Sequence, residues 1–120
     1  MATYIEINNT KYPAVITGRI SDKDWDNRET KSIELEMTYN DAVQLFVNDV
    51  KWNIIHENTV QHNETDEDGN IKLVEDVETE IYDNSEYSIA GPITDNRDGT
   101  IVVKMGKYTT EEILLMEVLS

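Results

Sequence analysis

The chain contains no cysteine, and that absence removes disulfides, thiolate nucleophiles and cysteine-bound zinc together. Proline is nearly as scarce: Pro13 and Pro92 are the only two, and five glycines build no Gly-rich phosphate loop. There are two histidines, His56 and His62, and no serine in a GxSxG setting, so nothing marks a nucleophile with its base. No apolar run approaches the roughly 20 residues that span a bilayer. The opening MATYIEINNTKYP lacks the basic and apolar stretches of an export signal, which makes the cytoplasm the expected compartment. Positive charge is the last shortage. Ten Lys and Arg stand against 25 Asp and Glu, for a net charge of -15, and no basic cluster exists to neutralise phosphates. The expected partners therefore include neither nucleic acid nor an anionic membrane surface.

What is present suits a single folded domain over residues 1–120. The length allows a real core. Six Tyr, two Trp and one Phe are more aromatics than disordered chains carry. Period-two alternation dominates. Ile5 and Ile7 alternate with polar residues in YIEIN, and NNTK reads as a turn. YPAVITGRI (12–20) follows, with Pro13 expected at an edge or strand start. KSIELEMTY alternates most strictly, setting Ile33, Leu35, Met37 and Tyr39 on one side. NDAVQLFVND changes period and predicts a short helix with Asn40 as its N-cap. Strand character returns in KWNIIHE (51–57), residues 58–70 read as an exposed polar loop, and 71–82 resume as a strand. EYSIAGPIT (86–94) and TIVVKMGK (100–107) flank an Asp98-Gly99 turn, with a bend at Gly91-Pro92. In TTEEILLMEVL, Thr109 and Glu112 form a capping box for a C-terminal helix. Its apolar residues surround the axis, so it is expected to dock, on the Ile33, Leu35, Met37 face or on a second copy.

These elements predict an α+β fold: an antiparallel twisted sheet of about six strands, with one or two short helices packed on one face.

Charge is concentrated in one place. Residues 64–86 hold ten acids against Lys72, supplying -9 of the -15. Within them, ETDEDGNIKLVE (64–75) approaches the spacing of a helix–loop–helix calcium site. Glu64, Asp66, Asp68, Asn70 and Glu75 stand at ligand positions and Gly69 at the sharp turn. Lys72 occupies another ligand position, however, and Asn63, Asp76, Thr79 and Glu80 are polar where paired helices would pack. Leu73, Val77 and Ile81 also share one face at period two. An acidic hairpin loop is the preferred reading, with no metal or cofactor; a calcium-binding module is the alternative. A further alternative is that the acidic surface imitates nucleic acid. In SDKDWDNRE (21–29), Asp22, Asp24 and Asp26 alternate, but position six lacks Gly and Ile33 takes the place of the closing carboxylate. That stretch reads as a loop anchored by Trp25, with Lys23 and Arg28 pairing the acids. His56 reads as a hydrogen-bonded core or edge histidine.

Two stretches, GRISDKDWDNRETKSIELEMTY and DNSEYSIAGPITDNRDGTIVVKMGK, resemble small uncharacterised prophage-encoded proteins of Gram-positive gut bacteria. Their most distinctive parts are Asp24-Trp25-Asp26 and Ile89-Ala90-Gly91-Pro92. The resemblance implies a phage-associated setting, the structural or tail module, and no ligand or catalytic residue. The functional expectation is a non-catalytic interaction or structural module, a particle subunit or assembly factor. Such a protein is not an enzyme, associates with a protein partner or with itself, and resides in the cytoplasm or the phage particle.

Overall fold

The structure is a computed structural model that describes residues 2–119. Seven strands form one antiparallel sheet: β1 (Ala2–Ile7), β2 (Thr10–Asp22), β3 (Arg28–Glu36), β4 (Asn53–Thr65), β5 (Ile71–Asp83), β6 (Ile89–Asp95) and β7 (Thr100–Gly106). Helix α1 (Tyr39–Leu45) follows β3, and helix α2 (Thr110–Leu119) follows β7. The strand order is β5-β4-β1-β2-β3-β7-β6. This is the α+β architecture the alternation predicts.

One curved face carries the core, and the register traces it. Ile54 pairs Ile5 and Ile5 pairs Tyr12. Along β2, Ala14 and Ile16 continue the same face, because side chains alternate with period two. Ala14 then meets Leu35, and Ile16 meets Ile33, which pairs Val103. Trp52, Tyr87, Ala42 and Phe46 join the buried residues of this row. Trp52 stacks edge-on against Tyr87 at 6.4 Å and donates its indole N–H to the Tyr87 carbonyl, so its one polar atom is satisfied inside.

Strand β2 is the seam. Its first half pairs β1 as far as Pro13, and its second half pairs β3 from Ala14 onward. Pro13 thus stands inside an interior strand, contrary to the expectation of an edge or strand start. It is accommodated because the ladder changes partner at that residue. Two consecutive asparagines, Asn8 and Asn9, both take positive φ in the β1–β2 turn, a conformation Asn tolerates better than most residues.

Helix α1 begins two residues earlier than expected. Thr38, not Asn40, is the N-cap: its side chain accepts from the Asp41 N–H at 3.2 Å. Strand β3 consequently stops at Glu36, and Tyr39 belongs to the helix instead of the strand face. Ala42 is its buried residue, and Phe46, the C-cap four residues on, is buried on the same side.

Two further expectations are overturned. Residues 58–65 are not loop but the outer part of β4, paired to β5 in unbroken register over all 13 residues of each strand. And α2 does not dock on the Ile33, Leu35, Met37 face. That face already packs against Ala42 of α1, Phe46, Trp52 and Tyr87. None of the described residues of α2 is buried.

Candidate functional site

Strand β4 pairs β1 only over Asn53–Glu57. Beyond that point the β4–β5 hairpin continues as a two-stranded arm, and it helps make the molecule 69 Å long against 38 and 25 Å in the other directions. A lone two-stranded ribbon is marginally stable in water. The arm has local reinforcements. His62 Nε2 lies 3.0 Å from Glu64 and its Nδ1 3.1 Å from Asp76 of the opposite strand. Gln61 donates to Glu75 at 3.0 Å. The hydrogen bond with Glu64, then the Asp76 charge, raises the His62 pKa above its usual value, with desolvation opposing.

Alternation divides the arm into two unlike faces. Ile71, Leu73, Val77 and Ile81 lie together on the face opposite the core, each between 61% and 72% exposed. Asp76, Glu78 and Glu80 lie on the other face, together with Glu64 of β4. The acids occupy a hairpin and are divided between its faces: Glu75 is separated onto the apolar face, and His62 engages Glu64 and Asp76.

The five positions at calcium-loop spacing are likewise dispersed. The loop is residues 66–70, and its flanks are strands where a helix pair would be required. Asp66 Oδ1 accepts from the Asp68 and Asn70 N–H groups at 3.0 and 2.8 Å, and Asp66 N–H donates to the Asn70 carbonyl. Gly69 supplies positive φ at 82°. Glu64 pairs Lys72 in the register, whereas Glu75 stands three positions farther from the tip on the opposite face. At the usual strand rise that is roughly 10 Å along the ribbon. Among the described residues no cluster of three or more His, Asp or Glu side chains is arranged to hold a metal ion.

The 21–29 stretch is a structural knot. Asp22 is fully buried, receives Lys104 Nζ at 2.7 Å, the Thr30 hydroxyl at 3.1 Å and the Asp24 N–H at 3.0 Å. Those contacts, Lys104 first, lower its pKa. The cation that pairs the buried acid is thus Lys104, from β7, and not the neighbouring Lys23. Trp25 is the anchor expected of it, lying against Gly91 and Gly106 with the Arg28 guanidinium 4.9 Å above its ring.

Arg28 also holds the start of α2. Its two terminal nitrogens donate to Glu112 at 2.8 and 3.2 Å, and one of them also donates to the Lys107 carbonyl. The expected capping box forms: Glu112 accepts from the Thr109 N–H and donates its own N–H to the Thr109 hydroxyl. Arg28, then the Thr109 N–H, pulls the Glu112 pKa down to about 2. Past this tether the helix is uncovered. Ile113, Leu114, Leu115, Met116, Val118 and Leu119 are between 44% and 80% exposed.

His56 behaves as expected, bonded through Nδ1 to Thr3 Oγ1 at 3.0 Å and stacked edge-on against Tyr82. A cleft of about 580 Å³ opens where β1 leaves β2, bordered by Tyr4, Pro13, Val15 and the exposed Glu34 and Glu36. No helix among the described residues is long and apolar enough to cross a membrane.

No protein-family model, curated protein or solved structure matches the chain. The candidate site is therefore defined by geometry: an amphipathic β arm and an uncovered apolar helix. The apolar alternation of 71–81 and the helix are visible in the sequence, but the arm is not, because its β4 half carries almost no apolar signal.

Proposed function

We propose that the protein is a non-catalytic interaction module, a subunit or assembly factor of a larger protein structure. The exposure of α2 carries this reading. A ten-residue helix is marginal in water by itself, and this one buries none of its described residues while six aliphatic or thioether side chains meet solvent. Its stability and its composition make sense against another protein surface. The resemblance of two stretches to prophage-encoded proteins supports a phage particle, or its construction, as the setting.

The surface that suits α2 is a second copy of the same helix. Because the apolar residues surround the axis, two helices can pack about a twofold axis and bury aliphatic side chains from both. Sedimentation velocity over a concentration series tests this, with the Leu115→Glu/Val118→Glu variant alongside. Wild type should self-associate with rising concentration and gain helical circular dichroism as it does, while the variant stays monomeric. A wild-type protein that remains monomeric throughout, with unchanged helical signal, contradicts the proposal.

A further inference from the structure

The sheet has two edge strands, and they are treated differently. Strand β6 has seven residues, contains Gly91-Pro92 and carries a register irregularity between Ala90 and Ile93. Its start is also covered: the Ala90 N–H donates to Asn48 Oδ1 at 2.9 Å, and the Ser88 carbonyl accepts from the Asp49 N–H at 2.7 Å. Shortness, proline, a bulge and a covering loop are the usual protections of an edge. Strand β5 has none of them. It has 13 residues without Pro, Gly or register shift. Among the described residues, its backbone from Ile71 to Ile81 is hydrogen-bonded to β4 alone.

An open edge of this kind can receive an added strand, whose main chain completes the ladder and whose side chains are selected by the two faces. Charge decides which strand fits. Two copies of β5 paired antiparallel over their full length keep like faces together, which sets Asp76 of each opposite Glu78 of the other and leaves Lys72 opposite Tyr82. Like charges across a ladder are destabilising. A strand with Lys or Arg at alternate positions reverses that sign, and aliphatic residues between them fall on the side of Ile71, Leu73, Val77 and Ile81. Strand β4 also has a free edge over 58–65, but Val60 is its one aliphatic side chain there and makes no matching apolar row.

We infer that the outer edge of β5 binds an extended segment of another protein in which basic and aliphatic residues alternate. This rests on reading the protein as an interaction module, and it assigns self-association to α2 and partner capture to the arm. The acids on β5 then have two roles. They keep the arm from pairing with its own copies, and they select the partner.

The test uses the full chain and a short fluorescent peptide of alternating valine and lysine, followed by anisotropy. One control alternates valine and glutamate. A second keeps the lysine sequence but is N-methylated at two consecutive central amides, which removes a bonding N–H from each edge. The lysine peptide should bind, and each control should bind about tenfold or more weakly. The Asp76→Lys/Glu78→Lys/Glu80→Lys variant should lose the lysine peptide by a similar factor and gain the glutamate peptide, which guards against simple misfolding of the arm. Failure of the lysine peptide to bind overturns the inference. Equal binding of the N-methylated peptide does so too, since it reduces the attraction to diffuse charge. Either failure, with α2-dependent self-association intact, leaves the broader reading of an interaction module standing.

Discussion

The outer part of the arm and the closed end of the sheet are built from the same element, an antiparallel pair of alternating strands, yet they differ in almost everything that follows. In β7, Ile101, Val103 and Met105 are buried to within 1% exposure, and β6 is shielded beside it. In β5 the same alternation leaves four aliphatic side chains mostly in solvent. Secondary structure is local, whereas burial depends on what the topology brings opposite. The inward residues of β7 belong to one buried cluster with Trp52, Tyr87 and Ala42 of α1, whereas β5 is an edge strand whose outer part runs beyond β1. An apolar face left uncovered along an edge of regular backbone is the feature on which the proposed capture of a partner strand rests.

Substitutions in the two regions should separate most strongly. Trp52 is 1% exposed and bonded through its indole N–H, so Trp52→Ala should cost about 3–5 kcal/mol in denaturant unfolding. Val77→Ala, on the arm, should change the same midpoint by less than about 0.5 kcal/mol. Comparable losses from both would mean that the arm is part of the cooperative core.

The protected edge can be tested at its tightest point. A Cβ built on Gly91 would stand 2.6 Å from the Trp25 ring and 2.8 Å from the Lys104 carbonyl oxygen. Gly91→Ala should therefore destabilise by about 1–3 kcal/mol, through crowding rather than through backbone conformation. A melt indistinguishable from wild type would show that Trp25 moves aside freely.

The smallest effect is the pH dependence of the arm. The folded-state pKa of His62 is raised by Glu64 and Asp76. Its contribution is therefore fully present below the unfolded value near 6.5 and is lost as pH rises through the higher folded value. Backbone amides around Val60–Val74 should exchange faster as pH rises through that window, after correction for intrinsic exchange. His62→Gln should abolish the dependence. Persistence of the trend in that variant would place its origin elsewhere.

Much of the base was legible in the sequence. Ile5 and Ile7, or Ile33 and Leu35, announce strands because one face is buried, and Thr109 with Glu112 announces a cap because both partners lie within one turn. The outer half of β4 was not legible: Asn58 to Thr65 contains one aliphatic residue, and its strand conformation is imposed by the ladder to β5 rather than by burial. The Asp22–Lys104 pair was invisible for a different reason, since its members are brought together only by the pairing of β3 with both β2 and β7. The apolar character of α2 was plain, but not its exposure, because nothing local reveals that the sheet face expected to receive it is already occupied. At the candidate site the same division holds. The acids and aliphatic residues of 71–83 were visible, and their placement on an open edge was not.

Residue-resolved amide hydrogen exchange on the monomeric protein tests the contrast between the two edges most directly. The β5 N–H groups that point away from β4 should exchange at nearly unprotected rates between Ile71 and Ile81, while the β7 amides at Ile101, Val103 and Met105 exchange orders of magnitude more slowly. Outward β5 amides as protected as those of β7, in a sample shown to be monomeric, would mean that the edge is already covered and that no partner strand is awaited there.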